Sequence, residues 1–163
     1  MDKWDARFME LAEVISGWAS CYQPDRKIGA VIVKNKRIVT TGYNGAPAGI
    51  KTCVERGECL RKKLGIPSGT RHEMCYAVHA EQNAIIHAAR NDMIGSTLYL
   101  VGKEYSTGEY IKNANPCSLC KRFIINAGIE TVVIRDDSEN YRVIDVQSEY
   151  VDKDESLEGI LGY

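Results

Sequence analysis

Ile28-Gly29-Ala30-Val31-Ile32-Val33-Lys34-Asn35-Lys36-Arg37-Ile38-Val39-Thr40-Thr41 reads as two strands joined by a short polar turn. The run 28–33 is β-rich and apolar along its whole length, the pattern of a strand covered on both faces. It is expected near the middle of a sheet. Lys34-Asn35-Lys36 supplies the reversal, and Asn35 can take a positive φ because a short polar side chain tolerates the left-handed region.

Working outward, Trp4, Phe8, Leu11, Ala12, Ile15 and Ala19 recur at three- and four-residue steps, which predicts an amphipathic first helix weakened at Gly17. Residues 44–71 carry Pro47-Ala48-Gly49 and Pro67-Ser68-Gly69 and read as a long ordered loop, a kind of segment that is usually functional. A helix is expected over 78–89, a strand over 97–101, a helix over 117–127 stopped by Gly128, and a strand over 131–134. A fifth strand over 142–146 and a closing helix over 150–161 complete the pattern. Alternating strands and helices after a starting hairpin argue for an α/β fold with three layers, α/β/α, around a mixed five-stranded central sheet. No repeat or composition shift divides the chain, so 1–163 is expected to be a single domain.

Lys and Arg number 21 against 22 Asp and Glu, a formal charge of -1. That balance provides no positive field to gather a long polyanion, so nucleic acid is not the expected partner. The charged Met1-Asp2-Lys3-Trp4-Asp5 is unlike a secretory signal, and the apolar run 28–33 is far too short to span a bilayer. A cytoplasmic protein is expected, with no membrane partner and with its six cysteines as thiols, not disulfides.

His79-Ala80-Glu81 and Pro116-Cys117-Ser118-Leu119-Cys120 carry the chemistry. They supply three zinc-ligand types and a carboxylate with no ligand's duty. Structural zinc is usually closed by four protein ligands, whereas catalytic zinc keeps three and leaves a position open. Glu81, two residues after His79, lies in the same first helical turn, so both can border one pocket. Cys117 and Cys120, three apart, share a face at the start of the second helix, where the macrodipole favours thiolate.

His-x-Glu followed by Pro-Cys-x-x-Cys resembles the signature of the zinc nucleobase deaminases. With Ile28-Gly29-Ala30-Val31-Ile32-Val33, Gly42-Tyr43-Asn44-Gly45-Ala46-Pro47, His79-Ala80-Glu81-Gln82-Asn83-Ala84-Ile85 and Ile125-Asn126-Ala127-Gly128-Ile129, the chain resembles the cytidine and deoxycytidylate deaminase superfamily over nearly its whole length, and most of all its deoxycytidylate branch. The resemblance implies hydrolytic deamination of dCMP to dUMP and ammonia, supplying thymidylate synthesis. It implies a catalytic zinc, one per chain, held by His79, Cys117 and Cys120, with Glu81 carrying protons from water to N3 and to the departing amine. It implies substrate contacts by Asn44 and Ala80. It further implies homo-oligomers, commonly hexamers, and dCTP and dTTP as effectors, with Mg accompanying a regulatory nucleotide.

Several residues carry two readings at this point. Asn44 is a sugar and base contact or a turn residue, and Arg26 and Lys27 neutralise the 5'-phosphate or form a solvated pair. Cys21, Cys53, Cys59 and Cys75, with His72 as an alternate, gather a second zinc or are small buried hydrophobes. His72 and His87 otherwise read as solvated. The stretch 102–115, longer than the family's usual connection, is a lid, a subunit contact or a solvated hairpin. Competing functions are the same chemistry on another cytosine nucleotide, nucleoside or base, and a catalytically silent zinc module, which would have no need of Glu81.

Overall fold

The computed structural model describes residues 1–22, 26–67 and 69–153. Its strands are β1 (Lys27–Lys34), β2 (Arg37–Tyr43), β3 (Thr97–Lys103), β4 (Thr131–Arg135) and β5 (Tyr141–Asp145). The helices are α1 (Lys3–Ser16), α2 (Cys53–Arg56), α3 (Leu60–Lys63), α4 (Ala80–Ile86), α5 (Arg90–Met93) and α6 (Ser118–Ala127). The sheet runs β2-β1-β3-β4-β5, antiparallel except for the parallel β3–β4 pair. That pair needs a crossover, and α6 is part of it. β1 is interior, as its sequence requires, while β3 takes the centre.

The opening hairpin turns on Asn35 (φ 51°) and Lys36 (φ 61°), both left-handed, a two-residue reversal whose twist suits the flanking strands. Pleating then sorts the strands' side chains into two layers. Ala30, Ile32, Leu98, Leu100, Val132 and Ile134 pack against Ala80, Ala84, Ile124 and Ala127 of α4 and α6. The alternate residues Val31, Val33, Tyr99, Val101 and Val133 pack against Phe8, Met9, Ala12 and Ile15 of α1. Each fully buried Leu, Ile or Val contributes roughly 1.5–3 kcal/mol.

Two glycines set how closely the helices approach. A Cβ on Gly29 would lie 2.0 Å from the Ala12 carbonyl oxygen of α1, and one on Gly42 would lie 2.3 Å from the Ala80 carbonyl oxygen of α4. The Gly42 contact seats the helix that carries the first motif.

Several expectations are corrected. The motif helix is shorter than 78–89: His79 is its N-cap, and it ends at Ile86. His87 Nδ1 lies 2.5 Å from the Asn83 carbonyl oxygen, occupying the acceptor that another turn would need. The second motif helix starts at Ser118, with Cys117 as its cap, and stops at left-handed Gly128 (φ 78°). Within 44–71 there is more order than a loop: α2 has a reciprocal Thr52–Glu55 capping box, and α3 follows. The expected closing helix over 150–161 falls mostly outside the described residues, and Tyr150 belongs to a single wide turn, Gln147–Val151. Among the described residues no helix is long and apolar enough to cross a membrane.

The stretch 102–115 is a hairpin closed by a Lys103–Tyr110 bridge; its tip, 105–109, is exposed, in keeping with the solvated-hairpin reading, while its base is anchored. Tyr110 donates its hydroxyl to Glu13 at 2.5 Å, Lys103 reaches Glu13 at 2.6 Å, and Arg135 donates to the Tyr110 oxygen at 3.2 Å. Exposed Tyr105 lies under Lys27, whose Nζ is 4.4 Å from the ring.

Candidate active site

The site forms where α4 and α6 begin. His79 stands at the cap of α4 in extended backbone (φ -69°, ψ 155°), with its N–H held by Gln82 Oε1 at 3.1 Å. An isolated bridge between Val78 and Gly45 ties the approach to the end of β2. Cys117 caps α6, and its Sγ accepts the Cys120 N–H at 3.4 Å. A thiolate is favoured at such a helix start.

His79 Nδ1 lies 3.5 Å from Cys117 Sγ and 3.3 Å from Cys120 Sγ. The three donor atoms fall within 4.8 Å of one another, and among the described residues this is the group of His, Cys, Asp or Glu that can hold a metal ion. Tetrahedral zinc with thiolate and imidazole ligands places sulfur about 3.6 Å from nitrogen. The residues therefore fit zinc in both donor chemistry and spacing.

The electrostatics suit that ion. The Cys120 thiol, hydrogen-bonded to Cys117, holds the Cys117 sulfur down to about 3 against the effect of burial, and His79 adds to the depression. The same bond, with burial and the Glu81 charge, pushes the Cys120 thiol well up. The hydrogen bond to Cys117 raises the His79 imidazole above its ordinary value, with burial opposing it. Three protonatable donors thus crowd around charge that a dication would neutralise. Glu81 is 5% exposed, and burial raises its carboxyl above the ordinary range. Its side chain also meets the Cys120 thiol.

The remaining predicted residues sort as follows. Ala80 is fully buried between His79 and Glu81. Asn44 is buried at the end of β2; its Oδ1 accepts from Ile28 N at 2.8 Å and its Nδ2 donates to the Arg26 carbonyl at 3.0 Å. Asn44 does not take the left-handed backbone of the turn reading; its side chain clamps the start of β1, which leaves one lone pair and one N–H of the carboxamide for other partners. The Arg26 side chain is exposed. None of the six cysteines, all among the described residues, is in a disulfide. Cys53 lies near Cys59 and Cys75, and burial pushes its thiol up. Those cysteines do not assemble a second three-donor group among the described residues.

His72 overturns its solvated reading. It stands edge-on to His79, ring centroids 4.8 Å apart, and burial lowers its imidazole below the ordinary value. Arg61 of α3, which sequence reasoning did not single out, places its charge within reach of both imidazoles. Its position in the basic run Arg61-Lys62-Lys63 was the available signal.

The sequence profile of the cytidine and deoxycytidylate deaminase zinc-binding region matches residues 2–135. The deoxycytidylate deaminase of Mycobacterium phage D29 is 37% identical over 135 residues, covering 80% of this chain and 92% of that protein. The deoxycytidylate deaminase of Schizosaccharomyces pombe is 34% identical over 130 residues, 80% of this chain but only 36% of the yeast protein. Among solved structures, the dCMP deaminase of cyanophage S-TIM5, in complex with dCMP and dUMP, superposes with a TM-score of 0.55 at 26% identity, covering 83% of each chain. The chain belongs to the cytidine and deoxycytidylate deaminase family, whose fold is the three-layer α/β/α arrangement expected from the sequence.

Proposed function

We propose that residues 1–163 act as one deaminase domain that converts dCMP and water to dUMP and ammonia. The observation that carries this reading is a buried carboxyl beside a three-donor zinc site. The cyanophage relative, solved with dCMP and dUMP, supports a nucleotide substrate.

His79, Cys117 and Cys120 would hold the ion. When bound, zinc supplies Lewis acidity that makes water nucleophilic near neutral pH. Glu81 moves the protons: it accepts one from the attacking water and delivers it to N3 of cytosine, then takes the hydroxyl proton of the C4 adduct and gives it to the amine, so that the C4 carbonyl forms as the C4–N bond breaks and ammonia leaves. Burial suits Glu81 to this work, because a carboxyl raised towards neutrality both accepts and returns a proton. Asn44, tied to the β1 start, faces the sugar and base with its remaining hydrogen-bonding capacity, and the Ala80 backbone borders the base at the α4 N-terminus. Arg26, beside the Asn44 clamp, meets the 5'-phosphate.

The loop after Asn44, by its family resemblance, supports regulation by dCTP and dTTP, with Mg accompanying the nucleotide, in a cytoplasmic homo-oligomer of hexamer type that feeds thymidylate synthesis. Ammonia release from zinc-loaded protein given dCMP, dCTP, deoxycytidine or cytidine tests the central reading. Turnover is expected to be fastest on dCMP; a preference for a free nucleoside, or no release from dCMP, overturns it.

A further inference from the structure

Arg61 is a cation at the site without a carboxylate partner among the described residues. Its Nη2 donates to the Pro67 carbonyl at 2.8 Å and to the Thr70 carbonyl at 2.6 Å, tying the start of α3 to the turn that Pro67 and Thr70 close. From that turn the 3-10 segment His72–Met74 departs, and His72 packs on His79 at 4.8 Å. The guanidinium is thereby held to the segment that, two residues after Thr70, sets His72 against His79. Neighbouring charges are already matched: Lys63 pairs with Glu58 and Arg71 with Glu73, each at 3.1 Å. Arg61 differs from them. Its Nε is shut off from solvent and has no hydrogen-bond partner.

A partly buried guanidinium with idle donors is costly unless an anion joins it. Both Nη2 hydrogens are used on carbonyls and Nε is covered, which leaves the Nη1 amino group of the five-donor fork to meet an incoming anion. A phosphate monoester meets those requirements: it is anionic, rich in acceptor oxygens, and carried by the nucleotide assigned above. A neutral base carbonyl would gain only about half as much from the same hydrogen bond.

We propose that Arg61 binds the 5'-phosphate of the substrate and sets the preference for nucleoside monophosphates over nucleosides. This inference rests on the nucleotide reading above and deepens it. It also gives the long β2–α4 connection a function: its α3 carries the phosphate-reading cation, and the Arg61 clamp holds that cation beside the zinc ligands. Arg26 contributes from a different segment.

The test compares zinc-loaded wild type, Arg61→Gln and Arg61→Lys on dCMP and deoxycytidine. Arg61→Gln is expected to raise KM for dCMP about ten- to a hundredfold, the worth of one charged hydrogen bond. The ratio of kcat/KM for dCMP to that for deoxycytidine should fall by a similar factor, and Arg61→Lys should recover part of it. A loop clamp alone would lower both substrates together and would not be rescued by lysine. An unchanged substrate ratio in Arg61→Gln overturns the proposal. If wild type does not turn over dCMP, the deamination reading fails by itself. Calorimetric binding of dUMP against deoxyuridine then decides Arg61: selective weakening of dUMP in Arg61→Gln sustains it, and equal binding sinks it.

Discussion

The two faces of the sheet are built from alternate residues of the same strands, yet reactive groups collect on only one. The α4–α6 face is dry and aliphatic, and the two helices begin side by side, so His79, Glu81, Cys117 and Cys120 converge at their first turns. The α1 face carries its polar groups in paired form: Tyr99 donates to Asp5 at 2.6 Å, and Glu13 gathers Lys103, Tyr110 and Arg135. The difference teaches that polarity alone does not mark function. Charge paired across the α1 face holds the fold, whereas titratable groups crowded together at two helix starts, shifted by burial and by one another, are kept for chemistry.

The largest expected effect lies on the reactive face. Glu81→Gln should retain zinc but lower kcat for dCMP by 10²-fold or more, in line with the loss of a proton shuttle. Undiminished turnover would remove Glu81 from the mechanism. Gly42→Ala comes next, because its Cβ would strike the Ala80 and Ala84 backbone and shift the start of α4. It should lose about 1–3 kcal/mol of stability. Activity per folded molecule should also drop, on the order of 10²-fold for a displacement near 1 Å.

The matched change on the other face is Gly29→Ala, whose Cβ would meet Ala12 and Ser16 of α1. Thermal melts should show a comparable stability loss, while kcat per folded molecule stays near wild type. Equal activity losses in the two alanine variants would break the comparison. The smallest effect belongs to Glu13→Gln, about 1 kcal/mol for a partly exposed network. Burial raises the Glu13 carboxyl, but its bonds to Lys103 and Tyr110 outweigh that and hold it below its ordinary 4.5. A depressed carboxyl stabilises fully above its unfolded value and loses that contribution as pH falls through the folded one. The melting-temperature gap between wild type and Glu13→Gln should therefore be present at pH 7 and close below about pH 4.5.

Much of this was legible in local pattern. The hairpin of 28–41, the stop at Gly128 and the convergence of both motifs follow from β-propensity, αL tolerance and ligand chemistry. The early end of α4 was hidden because His87 acts through a side-chain contact to the Asn83 carbonyl that periodicity does not register. Thr52 and Glu55 did carry a capping-box signal for α2, overlooked amid glycine and proline. His72 against His79, Tyr110 against Glu13 and Arg61 beside the site are tertiary meetings, set by how the connections fold back.

Zinc titration addresses the central claim most directly. Metal-free protein, restored with increments of zinc, should release ammonia from dCMP in proportion to bound metal and plateau at one equivalent per chain. His79→Ala should bind less zinc and stay inactive. Deamination that persists without metal, or that is indifferent to losing His79, would contradict the account.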